Sequence, residues 1–144
     1  MVTRKDVVAC VVTDGRLVCL VRRSQHVTHD QGRWHCVTGY LDDGATPREC
    51  AFRELEEELS LARSDVDVLH EGPLLNYRVD HTVWVVHTFL ASTSQTEFQL
   101  NWENEAFVWT APGSEVGDCV PWLADVHSSV LTSDTPRPAS ACPT

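Results

Sequence analysis

The sequence predicts an α/β domain built on a mixed β-sheet, and three observations lead to that fold class. Two β-rich runs, residues 7–12 and 17–21, flank an Asp-Gly pair, which is typical of a β-hairpin. A capped segment with an apolar stripe at 47–59 predicts a helix. Further apolar runs and a second helical segment at 120–131 follow. Strands and helices in this mixed order favour an α/β domain with a mixed sheet.

The N-terminal part of the chain is expected to supply the hairpin, a loop and one more strand. The runs VVACVV and LVCLV are joined by the segment TDGR at 13–16, which predicts the turn. Residues 24–33 are polar and predict a loop. An extended pattern resumes from Trp34 to Leu41, and the Asp-Asp-Gly-Ala segment at 42–45 ends it.

The helix predicted from Pro47 to about Leu59 has the clearest local signals. Thr46 is a capping residue, Pro47 is at the first helical position and Glu49 is at the third. This arrangement is a capping box, which satisfies two otherwise unpaired backbone donors. Four residues at helical spacing form its apolar stripe: Ala51, Phe52, Leu55 and Leu59.

The C-terminal half predicts further strands and a second helix. The strand-like runs lie at 66–69, 74–79, 82–90 and 106–109. The second helix is predicted from Val120 to Leu131, with Pro121 near its start. Residues 132–144 are rich in proline and almost without large apolar side chains, so we expect a disordered tail after a single domain at 1–131.

Composition limits the classes of partner and location. The formal net charge is −10, from 21 acidic and 11 basic residues, which argues against a nucleic-acid backbone as main partner but allows nucleotides that bring metal ions. Because charged residues at 4–6 interrupt the first apolar stretch, we expect no signal peptide, and because no apolar run reaches about 18 residues, we expect no membrane-spanning helix. The six cysteines lack C-x-x-C spacing, so we expect free thiols and a cytoplasmic location.

The helix predicted at 47–59 carries several glutamates close together. Glu57 and Glu58 follow Glu54 at i+3 and i+4, so the three share one face, and we expect that face to lie away from the apolar stripe. Either the face is solvated or it holds a cation. Arg53 can orient these carboxylates, and the glycine turn at Gly39 can aim a carbonyl at them. Carboxylate and carbonyl oxygens are the ligands that Mg²⁺ prefers.

The segment GYLDDGATPRECAFRELEEELSL, residues 39–61, resembles the signature of the Nudix hydrolases, G-x5-E-x7-R-E-U-x-E-E-x-G-U with U aliphatic. The matching positions are Gly39, Arg53, Glu54, Leu55, Glu57, Glu58 and Leu61. The surroundings also resemble the family over roughly residues 5–131, and the stretch LNWENEAFVW at 100–109 is similar to the branch that acts on diadenosine polyphosphates.

The resemblance implies a Nudix fold, with a mixed sheet between helices, and a hydrolase that uses Mg²⁺ or Mn²⁺. The implied substrate is a nucleoside diphosphate linked to another moiety. By position, the metal ligands would be Glu54, Glu57, Glu58 and the carbonyl of Gly39. Arg53 would orient the carboxylates. Many relatives of this fold dimerise, which leaves a homodimer open.

Two signature positions depart from the family. Ala45 stands where the signature has glutamate, and Ser60 stands where it has glycine. We expect weaker organisation around Arg53, and a helix end without the usual left-handed glycine. The alternative is a catalytically impaired module on the same fold that senses nucleotides or binds a protein, and a purely structural acidic helix is a third interpretation.

Four further residues are candidates for the site, each with a plain structural alternative. Glu103 resembles the family's glutamate that serves as base or extra ligand, and otherwise is a loop carboxylate. Arg23 resembles an arginine that faces substrate phosphates, and otherwise ends a strand in solvent. Trp34 and Tyr77 could stack on a base, and otherwise belong to the core.

Overall fold

The computed structural model describes residues 1–114 and 116–131, and this part of the chain folds around one sheet. The elements in chain order are β1 (Thr3–Thr13), β2 (Val18–Arg23), β3 (Trp34–His35), β4 (Val37–Tyr40), α1 (Pro47–Leu59), a 3₁₀ turn (Arg63–Asp65), β5 (Val68–Val79), β6 (Thr82–Ser92), β7 (Asn104–Thr110) and α2 (Leu123–Val130). The predicted tail at 132–144 lies outside the described residues, as does Cys142.

The sheet is mixed, as the sequence predicts. Its main path runs β3-β2-β1-β6-β5, while β4 pairs with β1 and β7 pairs with β2. β1 and β6 pair in parallel over their full length, from Thr3 opposite Thr82 to Thr13 opposite Ser92. All other strand pairs are antiparallel, including the predicted hairpin of β1 and β2. Because β1 pairs with β2, β4 and β6, it is a central strand of the described sheet, and its residues from Val8 to Thr13 are buried.

Two apolar layers cover the two faces of β1, because successive side chains of a strand point to opposite sides. Val8, Cys10 and Val12 pack with the buried face of α1, which supplies Ala51, Leu55 and Leu59. Ala9 and Val11 pack on the other side with the α2 residues Leu123, Val126 and Val130. The sheet therefore lies between the two helices, and α1 is held against it by fully buried side chains.

The predicted strand from Trp34 to Leu41 is divided, because its two halves have different partners. β3 pairs with β2, whereas β4 pairs with β1. The predicted second helix begins later than Val120, because residues 118–120 lie extended beside β3. The N–H of Trp34 donates to the carbonyl of Asp118 at 2.8 Å, and the carbonyl of Trp34 accepts from the N–H of Val120 at 2.9 Å. The helix α2 consequently starts at Leu123.

The two short strands predicted at 66–69 and 74–79 form one strand, β5. The register shifts between Glu71 and Leu74, so the Gly-Pro pair at 72–73 is absorbed as an irregularity rather than ending the strand. Gly72 is required there, because an added Cβ would come within 2.6 Å of the Thr88 hydroxyl oxygen. Glycine and proline therefore bend this strand without interrupting it.

Neither helix of the described residues has the length and apolar character needed to cross a bilayer.

Candidate active site

The first turn of α1 is fixed by Thr46. Its backbone is extended, and its hydroxyl oxygen accepts from the N–H of Glu49 at 3.1 Å. Pro47 occupies the first turn, where its missing N–H costs nothing. The capping box is nevertheless only half formed, because the Glu49 carboxylate accepts from the Thr46 hydroxyl at 2.9 Å instead of from a backbone N–H. One side chain therefore anchors the start of the acidic helix.

The last turn of α1 is closed by Ser60 in the conformation that glycine usually supplies. Its φ is 55°, in the left-handed region, and its N–H donates to the carbonyl of Glu56 at 3.0 Å. The Ser60 hydroxyl donates to the carbonyl of Gln99 at 2.9 Å. This tertiary hydrogen bond offsets the cost of a side chain in left-handed backbone, so the signature departure at Ser60 leaves the helix end intact.

The acidic residues of α1 do not all lie on a solvated face. Glu54 and Glu58 are buried, with 7% and 2% of their surface exposed, whereas Glu57 is exposed. The expectation that all three lie away from the apolar stripe is therefore wrong. Glu58 follows the buried Ala51 by seven residues, or two helical turns, which places it on the packed side of the helix.

Three carboxylates converge beside this helix: Glu54 and Glu57 of α1, and Glu103 of the loop before β7. Each offers an oxygen, and these oxygens lie within 4.8 Å of one another. We call these three residues the acidic cluster. Glu103 is held by its own loop, because its N–H donates to the Asn101 side chain at 3.0 Å and its carbonyl accepts from the N–H of Ser24 at 2.8 Å.

Glu58 extends the acidic cluster into the protein interior. Its carboxyl group lies beside that of Glu54, and its Oε1 accepts from the Asn104 amide at 2.8 Å. Its Oε2 has no hydrogen-bond partner among residues 1–114 and 116–131, although it is buried. An unpaired buried carboxylate oxygen is costly, so this position calls for a proton or a cation.

The raised pKa values of Glu54 and Glu58 also indicate a site that needs a proton or a cation. Burial, together with the charges of Glu57 and Glu103, raises the pKa of Glu54 to about 7, against the hydrogen bond from Glu58 and the charge of Arg53. Burial is also the main cause that raises the pKa of Glu58 well above its usual value, and the charge of Glu103 adds to it. The residues present therefore fit a divalent cation, which would displace the proton and neutralise the cluster.

Gly39, at the end of β4, is shaped to the acidic cluster. A Cβ built on Gly39 would overlap the carboxyl carbon and Oε1 of Glu54 and lie 2.6 Å from its Cγ. The Glu54 carboxylate thus fills the space that a side chain at position 39 would need. Glycine is required here for this close approach, independently of any carbonyl ligand role, which stays a prediction.

We expect Gly39→Ala to weaken Mn²⁺ binding and turnover by about 100-fold, because a displaced carboxylate no longer converges with its partners. Isothermal calorimetry with Mn²⁺ measures the first effect and a steady-state assay the second. Gly44→Asn is the matched control, since Gly44 lies in the following loop with nothing within 4 Å of an added Cβ and asparagine tolerates its left-handed backbone. Equal affinities in the two variants would contradict the packing argument.

Arg53 stands beside the cluster as the sequence predicts. Its Nη2 lies 3.7 Å from Glu54 Oε1, and its Nε lies 3.7 Å from Glu57 Oε1. Its Nη1 forms a direct ion pair with Asp42, and its Nη2 also contacts the Cys50 sulfur at 3.2 Å. The guanidinium is therefore positioned to organise carboxylates.

The remaining predicted residues are divided between the two sides of the sheet. Arg23 pairs in register with Asn104, next to Glu103, and its Nε donates to the carbonyl of His29 at 3.0 Å. Trp34 and Tyr77 instead pack in the α2 layer, where the Tyr77 hydroxyl donates to Asp125 at 2.6 Å. The backbone of Arg23 therefore lies beside the strand that follows Glu103, whereas the two aromatic residues lie in the α2 layer.

Sequence reasoning did not single out Asn104 or Ser24. Asn104 is 5% exposed and holds Glu58, while Ser24 binds the backbone of the Glu103 loop. A polar residue at the start of an apolar strand is the only signal for Asn104. Nothing in the sequence indicates the contact of Ser24, because its hydroxyl donates to the carbonyl of Trp102, which lies 78 positions later in the chain.

Comparisons with known proteins place this site in a family context. The model of the NUDIX domain family matches residues 3–124. An RNA pyrophosphohydrolase of Dinoroseobacter shibae is 28% identical over 115 residues, which cover 68% of this chain and 72% of that protein.

Solved structures share the fold. The crystal structure of a MutT NUDIX hydrolase from Burkholderia pseudomallei superposes with a TM-score of 0.75 at 17% identity, covering 89% of this chain and 98% of the other. An Ap4A hydrolase binary complex of C. elegans gives a TM-score of 0.60 at 19% identity, covering 86% and 87%.

Proposed function

The chain belongs to the NUDIX domain family, and we propose that it is a pyrophosphohydrolase that uses Mg²⁺ or Mn²⁺ to cleave the pyrophosphate linkage of a nucleoside diphosphate joined to another moiety. One observation carries this proposal. The carboxylate oxygens of Glu54, Glu57 and Glu103 lie within 4.8 Å of one another beside a buried, half-unpaired Glu58. A solvated acidic helix has no need for such convergence.

The cation would be held by Glu54, Glu57 and Glu58, with the carbonyl of Gly39 and Glu103 as further oxygen ligands. A divalent ion in such a site neutralises diphosphate oxygens and lowers the pKa of a bound water. Arg53 attracts the carboxylates of Glu54 and Glu57 from 3.7 Å. This distance is too long for a hydrogen bond, so the carboxylate oxygens remain available to a cation. Glu103, which its loop orients from outside the helix, is proposed as base or additional ligand.

The substrate class is proposed from charge and from the site's neighbours. Arg23 ends β2 next to the loop of Glu103, where a guanidinium suits the phosphates of a substrate. A dinucleotide polyphosphate, a nucleotide sugar or a nucleoside triphosphate would each present a diphosphate to the acidic cluster. The net charge of −10 favours a small nucleotide over a long nucleic-acid backbone.

A cytoplasmic location and a possible homodimer are part of this proposal. The location is supported by the free thiols of the buried cysteines Cys10, Cys19, Cys36 and Cys50.

A binding module without catalysis is the second candidate, and Ala45 is the observation that favours it. The side chain of Ala45 cannot pair with Arg53 as a glutamate at this signature position would. Calorimetry separates the two functions, because tight nucleotide binding that is indifferent to EDTA would favour the module.

We expect the purified protein to hydrolyse at least one member of a panel in the presence of excess Mg²⁺ or Mn²⁺, and not in EDTA. The panel comprises ADP-ribose, diadenosine polyphosphates, nucleoside triphosphates, dinucleotide cofactors and a 5′-triphosphate RNA oligonucleotide. Reaction in ¹⁸O-labelled water, followed by mass spectrometry, identifies the phosphorus that water attacks. Absence of turnover across the whole panel with both ions would contradict the proposed activity.

A further inference from the structure

Within residues 1–114 and 116–131, the ion pair in which Arg53 is closest to a carboxylate is the one with Asp42, in the loop between β4 and α1. Among the described residues, the three carboxylates around Arg53 are not equivalent. Asp42 meets Nη1 directly, whereas Glu54 and Glu57 stay at 3.7 Å from Nη2 and Nε. A distance of 3.7 Å exceeds that of a hydrogen bond. The guanidinium is therefore held by Asp42 at Nη1 and by the Cys50 sulfur at Nη2, rather than by the carboxylates of the helix.

The loop is built to present Asp42 to Arg53. The N–H of Leu41 donates to the carbonyl of Asp6 at 3.0 Å, which fixes the residue before Asp42 to β1. The N–H of Ala45 donates to the carbonyl of Asp42 at 3.2 Å, and Gly44 takes the left-handed backbone that closes this turn, with φ of 83°. Asp42 is thereby held between an anchored strand end and the start of α1.

We propose that Asp42 is a positioning residue for the acidic cluster, which supplies from the loop the carboxylate that Ala45 lacks. The inference rests on the proposed divalent-cation site. In this role Asp42 holds the guanidinium back from Glu54 and Glu57, so that their oxygens stay free for a cation. Without Asp42, Arg53 turns toward these carboxylates, pairs with them directly and competes with the cation.

Asp42 and Arg53 are both partly exposed, so the effect of a substitution on metal binding can be measured without an effect on folding. The Asp42 side chain is 59% exposed and that of Arg53 is 38% exposed, and ion pairs of this kind contribute little to the stability of a fold. A substitution at Asp42 is therefore expected to leave the protein folded, with its thermal midpoint close to that of the wild type.

The test compares Asp42→Asn with Asp43→Asn, which removes the same charge from an exposed residue of the same loop. The affinity for Mn²⁺ is measured without substrate, from the electron paramagnetic resonance signal of the free ion. We expect Asp42→Asn to weaken Mn²⁺ binding by about 10-fold, the usual effect of losing a residue that orients a ligand. Asp43→Asn should bind as the wild type does, and kcat should fall in Asp42→Asn with little change in KM.

A rescue variant identifies the cause. The double variant Asp42→Asn with Ala45→Glu returns a carboxylate to the loop within the signature, and we expect it to regain most of the lost affinity. A double variant as weak as Asp42→Asn would assign the effect to loop conformation and overturn the inference. Loss of one bound ion from the stoichiometry of Asp42→Asn would also overturn it, because Asp42 would then be a ligand.

Failure of this inference differs from failure of the proposed function. If the wild type binds Mn²⁺ and Asp42→Asn binds equally well, the positioning role is wrong and the cation site stands. If the wild type does not bind Mn²⁺, the proposed site is wrong, and the role of Asp42 falls with it.

Discussion

Glu57→Gln is expected to lower kcat/KM by about 10³-fold, or about 4 kcal/mol of transition-state stabilisation. The Glu57 side chain is 50% exposed and belongs to the acidic cluster. Glutamine keeps its size but removes a charged oxygen from the proposed cation site, so the effect falls on binding of the ion and on the reaction. Stability should change by no more than about 0.5 kcal/mol, as for most surface substitutions. Steady-state kinetics and calorimetry with Mn²⁺ measure both quantities.

Glu56→Gln is the matched control, because Glu56 is exposed on the same helix, one residue away, and lies outside the acidic cluster. It removes the same charge from the same region of the chain. If both variants lost activity equally, a general effect of net charge would be the cause. If neither affected Mn²⁺ binding, α1 would be a structural acidic helix, and the hydrolase mechanism would need another centre.

The features that local signals determine were predicted from the sequence alone. Thr46 and Pro47 fix the start of α1, and the apolar stripe ending at Leu59 gives its length, so the predicted and observed bounds agree. The Asp-Gly turn likewise predicts the hairpin of β1 and β2. In each case a few neighbouring residues carry the whole preference, and no distant contact is needed to decide it.

The features that depend on tertiary packing were not predicted. Burial of Glu54 and Glu58 depends on which face of α1 meets the sheet, and a run of glutamates alone suggests a solvated surface. The seven-residue interval from Ala51 to Glu58 was a signal for it. The separation of Tyr77 from the acidic cluster depends on the register of β5, which shifts between Glu71 and Leu74 in a way that no sequence pattern specifies.

Glu54→Gln is expected to abolish most activity and, at the same time, to stabilise the metal-free protein. Burial is the main cause that raises the pKa of Glu54 from 4.5 to about 7 in the fold. The unfolded chain ionises first, so the stability present below pH 4.5 is lost as the pH rises through about 7. A buried carboxyl that must lose its proton as the pH rises destabilises the fold relative to the unfolded chain, and a neutral glutamine avoids that loss.

Denaturant unfolding at pH 5 and pH 8, in EDTA, tests this expectation. The gain in the free energy of unfolding of Glu54→Gln over the wild type should be larger at pH 8 than at pH 5, and Glu56→Gln should show no such increase, since Glu56 is exposed. Saturating Mn²⁺ should then stabilise the wild type, because the ion binds only the folded state, and should stabilise Glu54→Gln much less. If the difference in the free energy of unfolding between Glu54→Gln and the wild type were the same at pH 5 and at pH 8, Glu54 would ionise in the fold as readily as in water. The acidic cluster would then lack the electrostatic demand for a cation on which the hydrolase mechanism depends.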